Sequence, residues 1–232
     1  MIHVFPDLAA AAEALAARVA AEAAEAIAAR GEFRLALSGG ETPVALYRAL
    51  ASGTWRSRVD WARCVLLFAD ERAVPAGAPE RTDRLVRDTL LRPLRIDDAQ
   101  MRSMRGEADD LDAAAREYER EVLAPIDLLL LGAGPDGHIA SLFPGGAAVG
   151  ECERRVVAVL DSPKPPARRL SLAPRALAEA RGVCVLAAGE GKAAAVARAL
   201  GGRVPPAECP AALVAKRDWY IDRAAAGRLA AS

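Results

Sequence analysis

Aromatic residues are scarce in this sequence, at 4% of 232 residues, although 53% of the residues are hydrophobic. Alanine supplies much of that hydrophobic fraction. Small apolar side chains favour closely packed helices on a thin sheet over a sandwich with an aromatic core. The length suits one large α/β domain with a buried core, so we expect a single domain over residues 1–232.

A net charge is also lacking, because 31 basic residues balance 31 acidic residues. This balance excludes the broad positive field that holds nucleic acid or an anionic membrane, so any bound anion requires a local basic cluster. The N-terminus has no basic segment followed by an apolar one, and the alanine-rich stretch behind it carries charges throughout. We therefore expect no nucleic-acid partner, no signal peptide and no membrane contact.

Cysteine is limited to four residues without a Cys-x-x-Cys spacing, namely Cys64, Cys152, Cys184 and Cys209. Cys64 and Cys184 lie inside apolar runs that are typical of strands. We expect all four thiols to be reduced core residues, as in a reducing compartment such as the cytoplasm.

Apolar runs of strand length alternate with helical patterns along the chain. Strands are predicted at residues 33–37, 64–68, 127–131 and 183–187, with further candidates at 156–160 and 212–215. Helices are predicted at 8–30, from near Pro43, over about 81–91, and from the loop 189–192 to about Leu200. This alternation predicts an α/β fold, a mostly parallel sheet with helices on both faces, whose ligands bind beyond the carboxyl ends of the strands.

The loop after the first of these strands, residues 38–43, reads Ser-Gly-Gly-Glu-Thr-Pro. It combines backbone amides, two hydroxyls and a helix N-terminus, an arrangement that binds phosphate without a metal. The candidate phosphate ligands are Ser38, Gly39, Gly40 and Thr42. The alternative is a tight strand-to-helix turn that uses glycine only for its dihedral angles.

Two later basic features are candidates for the same pocket. Lys192 begins a helix after Gly189 and Gly191, where a cation and helix amides could share one phosphate. Arg168 and Arg169 follow a proline-rich loop. For any single lysine or arginine the alternative is an ordinary solvated side chain.

The second loop contains Asp70, Glu71 and Arg72 at the end of a buried strand, where charges are costly unless they are paired or in use. Arg72 could bind a carboxylate or phosphate oxygen, or stabilise an oxyanion as it develops. The alternative is a structural ion pair at a loop entrance.

The third loop contains His138, one of only two histidines in the sequence. His3 lies near a terminus, whereas His138 follows a strand on a glycine-rich loop with Asp136 two residues before it. A hydrolase that works near neutral pH without a metal or a reactive cysteine most readily uses histidine as its base. We therefore predict His138 as the base, oriented or tuned by Asp136, against the alternative of an inert loop histidine.

The same loop spells Gly-x-Gly-x-x-Gly at Gly132, Gly134 and Gly137, the pattern of a dinucleotide site. That site needs a helix directly after the turn, whereas residues 143–146, Phe-Pro-Gly-Gly, interrupt the chain within a few residues. Asp136 would also face the pyrophosphate with the wrong charge. We conclude that the glycines serve another purpose.

Four motifs carry a resemblance to a known family: Leu-Ser-Gly-Gly-Glu-Thr-Pro at 37–43, Phe-Ala-Asp-Glu-Arg-Ala-Val-Pro at 68–75, Leu-Gly-Ala-Gly-Pro-Asp-Gly-His-Ile-Ala-Ser-Leu-Phe-Pro-Gly at 131–145, and Ser-Pro-Lys-Pro-Pro at 162–166 with Arg169. Residues 189–192 and 218–222 also match. Over nearly its whole length the chain resembles the 6-phosphogluconolactonases. One departure is Arg81-Thr82, where that family usually has Ser-Asn.

The resemblance implies hydrolysis of 6-phospho-D-glucono-1,5-lactone in the oxidative pentose phosphate pathway, without metal or cofactor, on a fold shared with sugar-phosphate isomerases and deaminases. It implies that His138 deprotonates water and later protonates the ring oxygen, supported by Asp136, while Arg72 stabilises charge on the substrate. The implied substrate and phosphate ligands are Ser38, Gly39, Gly40, Thr42, Asp70, Arg169 and Lys192. The expected partner is the small phosphosugar lactone alone, and we expect a monomer or small homo-oligomer.

Two rival functions are considered. Glucosamine-6-phosphate deaminases resemble this chain but have a tyrosine where Arg72 stands and a Phe-Asn-Glu-Pro segment where residues 141–144 read Ser-Leu-Phe-Pro. A non-catalytic sugar-phosphate sensor that regulates transcription would carry a helix-turn-helix head, whereas here we expect the first element to be the alanine-rich helix.

Overall fold

Two sheets organise residues 1–229, the part of the chain that the computed structural model describes. Their strands are β1 (Ile2–Phe5), β2 (Phe33–Leu37), β3 (Cys64–Phe68), β4 (Asp70–Arg72), β5 (Leu128–Gly132), β6 (Val156–Val159), β7 (Arg169–Leu172), β8 (Gly182–Ala187) and β9 (Asp218–Asp222). Six strands form a parallel sheet in the order β1-β9-β8-β5-β2-β3. The remaining three form an antiparallel sheet in the order β4-β7-β6.

Helices connect and flank the parallel strands. They are α1 (Leu8–Arg30), α2 (Glu41–Ala51), α3 (Thr82–Val86), α4 (Arg92–Leu94), α5 (Leu111–Glu119), α6 (Pro174–Glu179), α7 (Ala193–Leu200) and α8 (Arg223–Ala226). Among the described residues, none of these helices is long and apolar enough to cross a membrane. The predicted α/β fold, with a mostly parallel sheet flanked by helices, is confirmed.

Helix α1 shows how local signals set its bounds. The Asp7 carboxylate accepts a hydrogen bond from the Ala10 amide at 2.9 Å and thereby caps the N-terminus. Leu15 and Val19 are fully buried on the face that packs on the sheet. Gly31 ends the helix in the left-handed conformation, at φ 83°, with its amide bonded to the Ile27 carbonyl. The predicted helix at 8–30 is confirmed.

The antiparallel sheet was not predicted from the sequence. Ala69 joins the two sheets, because its amide donates to Leu37 in β2 at 2.7 Å while its carbonyl accepts from Leu172 in β7 at 2.8 Å. Strands β4, β6 and β7 have only three or four residues each, and all of β7 is buried, including Arg169. The strand candidate at 156–160 is confirmed as β6, whereas β4 and β7 are too short to give an alternating pattern that a sequence could reveal.

Several sequence predictions need correction. Residues 212–215 are not a strand, because Pro210–Val214 form a 3₁₀ turn in which the Ala212 amide donates to the Cys209 carbonyl. The helices predicted from near Pro43 and over about 81–91 are confirmed, with observed bounds that differ slightly. The first begins at Glu41, and the second begins at Thr82 and runs through a π-helical segment, Arg87–Leu91, into α4. Cys152 is exposed rather than part of the core, since it lies in an irregular loop.

Candidate active site

The loops that follow β2, β3, β5 and β8 meet at one edge of the parallel sheet, as predicted. They enclose a cavity of about 190 Å³. Nine of the ten predicted site residues line it: Ser38, Gly39, Gly40, Thr42, Asp70, Arg72, His138, Arg169 and Lys192. The tenth, Asp136, lies behind the wall and reaches the cavity through its contact with His138.

His138 and Asp136 form a hydrogen-bonded pair, with 2.5 Å between His138 Nδ1 and Asp136 Oδ1. An ionised carboxylate only accepts hydrogen bonds, so Nδ1 carries the proton and Nε2 keeps its lone pair. The ring of Phe143 stacks obliquely on the imidazole, at 4.8 Å between centroids. Because residues 138–146, directly after Gly137, are not helical, the glycines of this loop do not form a dinucleotide site, as the sequence indicated.

The surroundings lower the pKa of both His138 and Asp136, which leaves the imidazole free to accept a proton. Burial lowers the pKa of His138, and Lys164 lowers it further, while Asp136 and Asp70 oppose the change. The net pKa of His138 is below its ordinary value. For Asp136, burial acts to raise the pKa, but the hydrogen bond and charge of His138 together with Lys164 lower the pKa to about 2. At neutral pH the carboxylate is ionised and the imidazole is neutral.

The loop at residues 38–43 is rigidly anchored below the cavity. The Tyr47 hydroxyl donates to the Ser38 carbonyl at 2.6 Å and accepts from the Ser38 amide at 3.1 Å. The Ser38 hydroxyl donates to the Leu130 carbonyl at 2.8 Å, so its proton is engaged inside the protein. Ser38 therefore fixes the loop to β5, while the loop amides line the cavity.

The N-terminus of α2 is open to an anion. Among the residues described, no side chain caps its first turn, which begins after Gly40. Lys192 reaches the same place, with its ammonium group donating to Thr42 Oγ1 at 2.8 Å. Burial lowers the pKa of Lys192, while Asp222 and Glu41 act against that change. Helix amides and one ammonium group thus converge on one side of the cavity.

The three charged residues of β4 have separate tasks. Asp70 accepts a hydrogen bond from the Ser141 hydroxyl at 2.7 Å and faces the cavity. Glu71 is fully buried and accepts from the amides of Arg72, Thr82 and Asp83 at 2.7 to 2.9 Å. Burial raises the pKa of Glu71 to about 7, although the amides of Asp83 and Thr82 oppose the increase.

The alternative prediction, that these charges form a structural ion pair, is therefore correct for Glu71, but the partner is Arg81 and not Arg72. Arg81 is 2% exposed and lies 3.6 Å from Glu71, and it also binds Asp83 at 2.8 Å. Arg72 instead donates to the Glu80 carbonyl at 2.6 Å and lines the cavity. Within residues 1–229 its buried Nε has no hydrogen-bond partner.

Arg169 and Arg168 diverge although they are adjacent. Arg169 is buried and donates to the carbonyls of Pro166 at 3.1 Å and of Lys164 and Pro165 at 3.2 Å. Its third nitrogen lies 4.0 Å from Asp70 at the cavity wall. Arg168 is exposed and donates to the Asp109 carbonyl, so its predicted place in the pocket is wrong.

Sequence reasoning missed two residues next to this site. Lys164 Nζ lies 3.1 Å from Asp136 Oδ2. In the sequence, Lys164 stood out only as part of the proline-rich motif that carries the family resemblance, and no role was predicted for it. Thr82 is fully buried, and a Cβ on Gly39 would stand 2.7 Å from its hydroxyl oxygen. The departure at Arg81-Thr82 thus places Arg81 in the buried ion-pair cluster and packs Thr82 beneath the 38–43 loop.

Comparison with known proteins identifies the family of this chain. A 6-phosphogluconolactonase of Mycobacterium tuberculosis is 39% identical, with 98% of each chain covered. One of Homo sapiens is 39% identical and covers 97% of this chain and 92% of its own. The structure of a 6-phosphogluconolactonase from Trypanosoma cruzi superposes with a TM-score of 0.86 at 26% identity, covering 99% of this chain and 97% of that one. The family profile described as glucosamine-6-phosphate isomerases/6-phosphogluconolactonase matches residues 6–222. This chain therefore belongs to the glucosamine-6-phosphate isomerase/6-phosphogluconolactonase family.

Proposed function

We propose that this protein hydrolyses 6-phospho-D-glucono-1,5-lactone to 6-phospho-D-gluconate, with His138 as the general base. One observation carries the proposal: a neutral histidine paired with an ionised Asp136 opens onto the same cavity as the uncapped N-terminus of α2 and Lys192. A base and an anion site in one cavity suit a substrate with a phosphate at one end and an electrophilic carbonyl at the other.

In the proposed reaction, Nε2 of His138 takes a proton from water as the water oxygen attacks the lactone carbonyl carbon. The resulting imidazolium is stabilised by Asp136, as in other acid–base pairs of this type. The tetrahedral intermediate then collapses, and the bond from the carbonyl carbon to the ring oxygen breaks. His138 returns its proton to that oxygen, so the product is an open-chain hydroxy acid and the enzyme is regenerated.

The basic residues of the cavity wall are assigned to binding the negatively charged groups of the substrate. The phosphate rests on the amides at the start of α2 and on Lys192, which is partly desolvated by burial. Arg72 stabilises the oxyanion of the intermediate, a role supported by its place in the wall of the cavity that His138 also lines. Arg169 is assigned mainly to holding the proline-rich loop, with one nitrogen left for a substrate oxygen.

The proposed place of action is the cytoplasm, in the oxidative pentose phosphate pathway. The family membership supports the pathway. The four free thiols support a reducing compartment.

The test is a rate measurement on lactone generated by a glucose-6-phosphate dehydrogenase, with proton release corrected for the proton that the dehydrogenase itself liberates and for spontaneous hydrolysis. We expect acceleration by the wild type and a loss of roughly 10²- to 10⁴-fold in kcat for His138→Ala. His3→Ala removes the only other histidine and serves as the matched control. Wild-type protein that does not exceed the spontaneous rate would refute the function, and full activity of His138→Ala would refute the base.

A further inference from the structure

A third charged group completes the His138–Asp136 pair. The Lys164 ammonium lies 3.1 Å from Asp136 Oδ2 and 3.2 Å from His138 Nδ1. Asp136 thus binds the imidazole with one oxygen and the ammonium with the other. Lys164 does not line the cavity that is assigned to the substrate, so its contacts are with the base and not with the reacting atoms.

The backbone around Lys164 is held in place by buried groups. The Ser162 hydroxyl donates to the Lys164 carbonyl at 2.9 Å and accepts from the Lys164 amide at 3.2 Å. Arg169, which is 5% exposed, donates to the same carbonyl. The Ser162 amide closes the loop by donating to the Ala167 carbonyl at 2.9 Å. The loop therefore brings the lysine side chain to a defined position beside Asp136.

We infer that Lys164 is a positioning residue of the hydrolysis, whose ammonium holds the Asp136 carboxylate against His138 and disfavours the imidazolium form of that base. This inference rests on the proposed function. Asp136 sets the tautomer, because its Oδ1 accepts the Nδ1 proton, while the ammonium binds the other carboxylate oxygen and holds the carboxylate in place. A cation at this distance also disfavours the imidazolium form.

The other groups around His138 define what removal of the lysine would change. Asp70 in β4 and Asp136 favour the imidazolium, whereas burial and Lys164 disfavour it. Phe143 covers the ring, and the guanidinium of Arg169 lies 5.5 Å from the Phe143 ring centroid. Without the lysine the two carboxylates act against burial alone, so the pKa of His138 must rise.

Removal of the Lys164 charge should shift the pH dependence of the rate. The base works only in its neutral form, so activity is lost as the pH falls through the pKa of His138. Lys164→Met removes the cation, and the acid limb of kcat/KM should move to higher pH by about one unit, the size expected for a partly solvated charge at this distance. KM should change little, because Lys164 is not assigned to the substrate.

The experiment compares Lys164→Met, Lys164→Arg and the exposed-lysine control Lys216→Met, all on the full chain. The His138 ring pKa is read by NMR without substrate, where only two histidines give signals and His138→Ala assigns them. The pH profile of kcat/KM is measured in parallel, and thermal melting verifies that each variant is folded.

We expect the NMR pKa and the acid limb to rise together in Lys164→Met, to return towards the wild-type values in Lys164→Arg, and to stay unchanged in Lys216→Met. An unchanged His138 pKa in a folded Lys164→Met variant overturns the inference, whether or not the activity falls. A raised NMR pKa in a protein that hydrolyses no lactone would instead refute the proposed function, so the two failures are distinguishable.

Discussion

Gly134 lies directly against the His138 ring: a Cβ on Gly134 would stand 2.0 Å from both Nδ1 and Cε1, and 2.6 Å from Asp136 Oδ1. These distances are far below any allowed non-bonded contact, so the imidazole–carboxylate pair can exist only above a residue without a side chain. Here the second glycine of the Gly-x-Gly-x-x-Gly pattern makes room for a proton-transfer pair instead of a dinucleotide pyrophosphate.

We predict that Gly134→Ala lowers kcat by at least about 10²-fold, because the methyl group must displace the His138 ring from Asp136. The measurement is steady-state lactone hydrolysis, with the fold checked by circular dichroism. Gly150→Ala is the matched control, since a Cβ there meets no atom within 4 Å. Wild-type kcat in Gly134→Ala would contradict the assignment of this pair to proton transfer.

Lys192 should matter for substrate binding more than for chemistry. Lys192→Met removes a charged donor beside the uncapped start of α2, and we expect KM to rise roughly 10- to 100-fold with kcat within a few-fold of wild type. On gluconolactone without a phosphate the same substitution should have little effect. Lys216→Met, at an exposed position, is the control. Equal losses on both substrates would argue against a phosphate contact.

Glu71 should contribute to stability and not directly to the reaction. Both of its carboxylate oxygens accept backbone amides, so Glu71→Gln turns one acceptor into a donor that faces an N–H group. At pH 5 we expect a loss of about 1–3 kcal/mol in the free energy of unfolding. Burial raises the pKa of Glu71 to about 7, so the wild type loses stabilisation as the pH rises towards that value, and the difference from the variant should be smaller at pH 8. Urea denaturation measures it, with the exposed Glu25→Gln as control. Equal stability of the two variants would refute this role.

The thiols should differ sharply in reactivity. Burial raises the pKa of Cys64 and of Cys184 to about 12, and Cys209 is also buried, whereas Cys152 is exposed. Because the thiolate is the reactive form, we expect Ellman's reagent to titrate about one thiol in the native protein and all four after unfolding. Cys152→Ser should abolish the fast phase. Fast reaction of a second thiol would contradict the described burial.

Much of the site could be predicted because of one rule of sheet geometry. Strands β2, β3, β5 and β8 are parallel, so their carboxyl ends lie on one edge, and each of the loops that follow them contributes to the cavity. The strand positions themselves could be predicted from the sequence, since runs such as Phe33–Leu37 and Cys64–Phe68 are apolar and of strand length. Local signals therefore determined the parallel sheet, the loop at 38–43 and the prominence of His138.

What each charge does was decided only by the tertiary structure. The sequence places Glu71 next to Arg72, yet the partner of Glu71 is Arg81, ten residues further along in a different element. Lys164 approaches Asp136 across 28 positions of the chain, and Arg169 turns inward where Arg168 turns out. Helical and strand patterns depend on near neighbours, whereas the pairing of buried charges depends on which distant segments exclude water together, and local sequence carries no record of that.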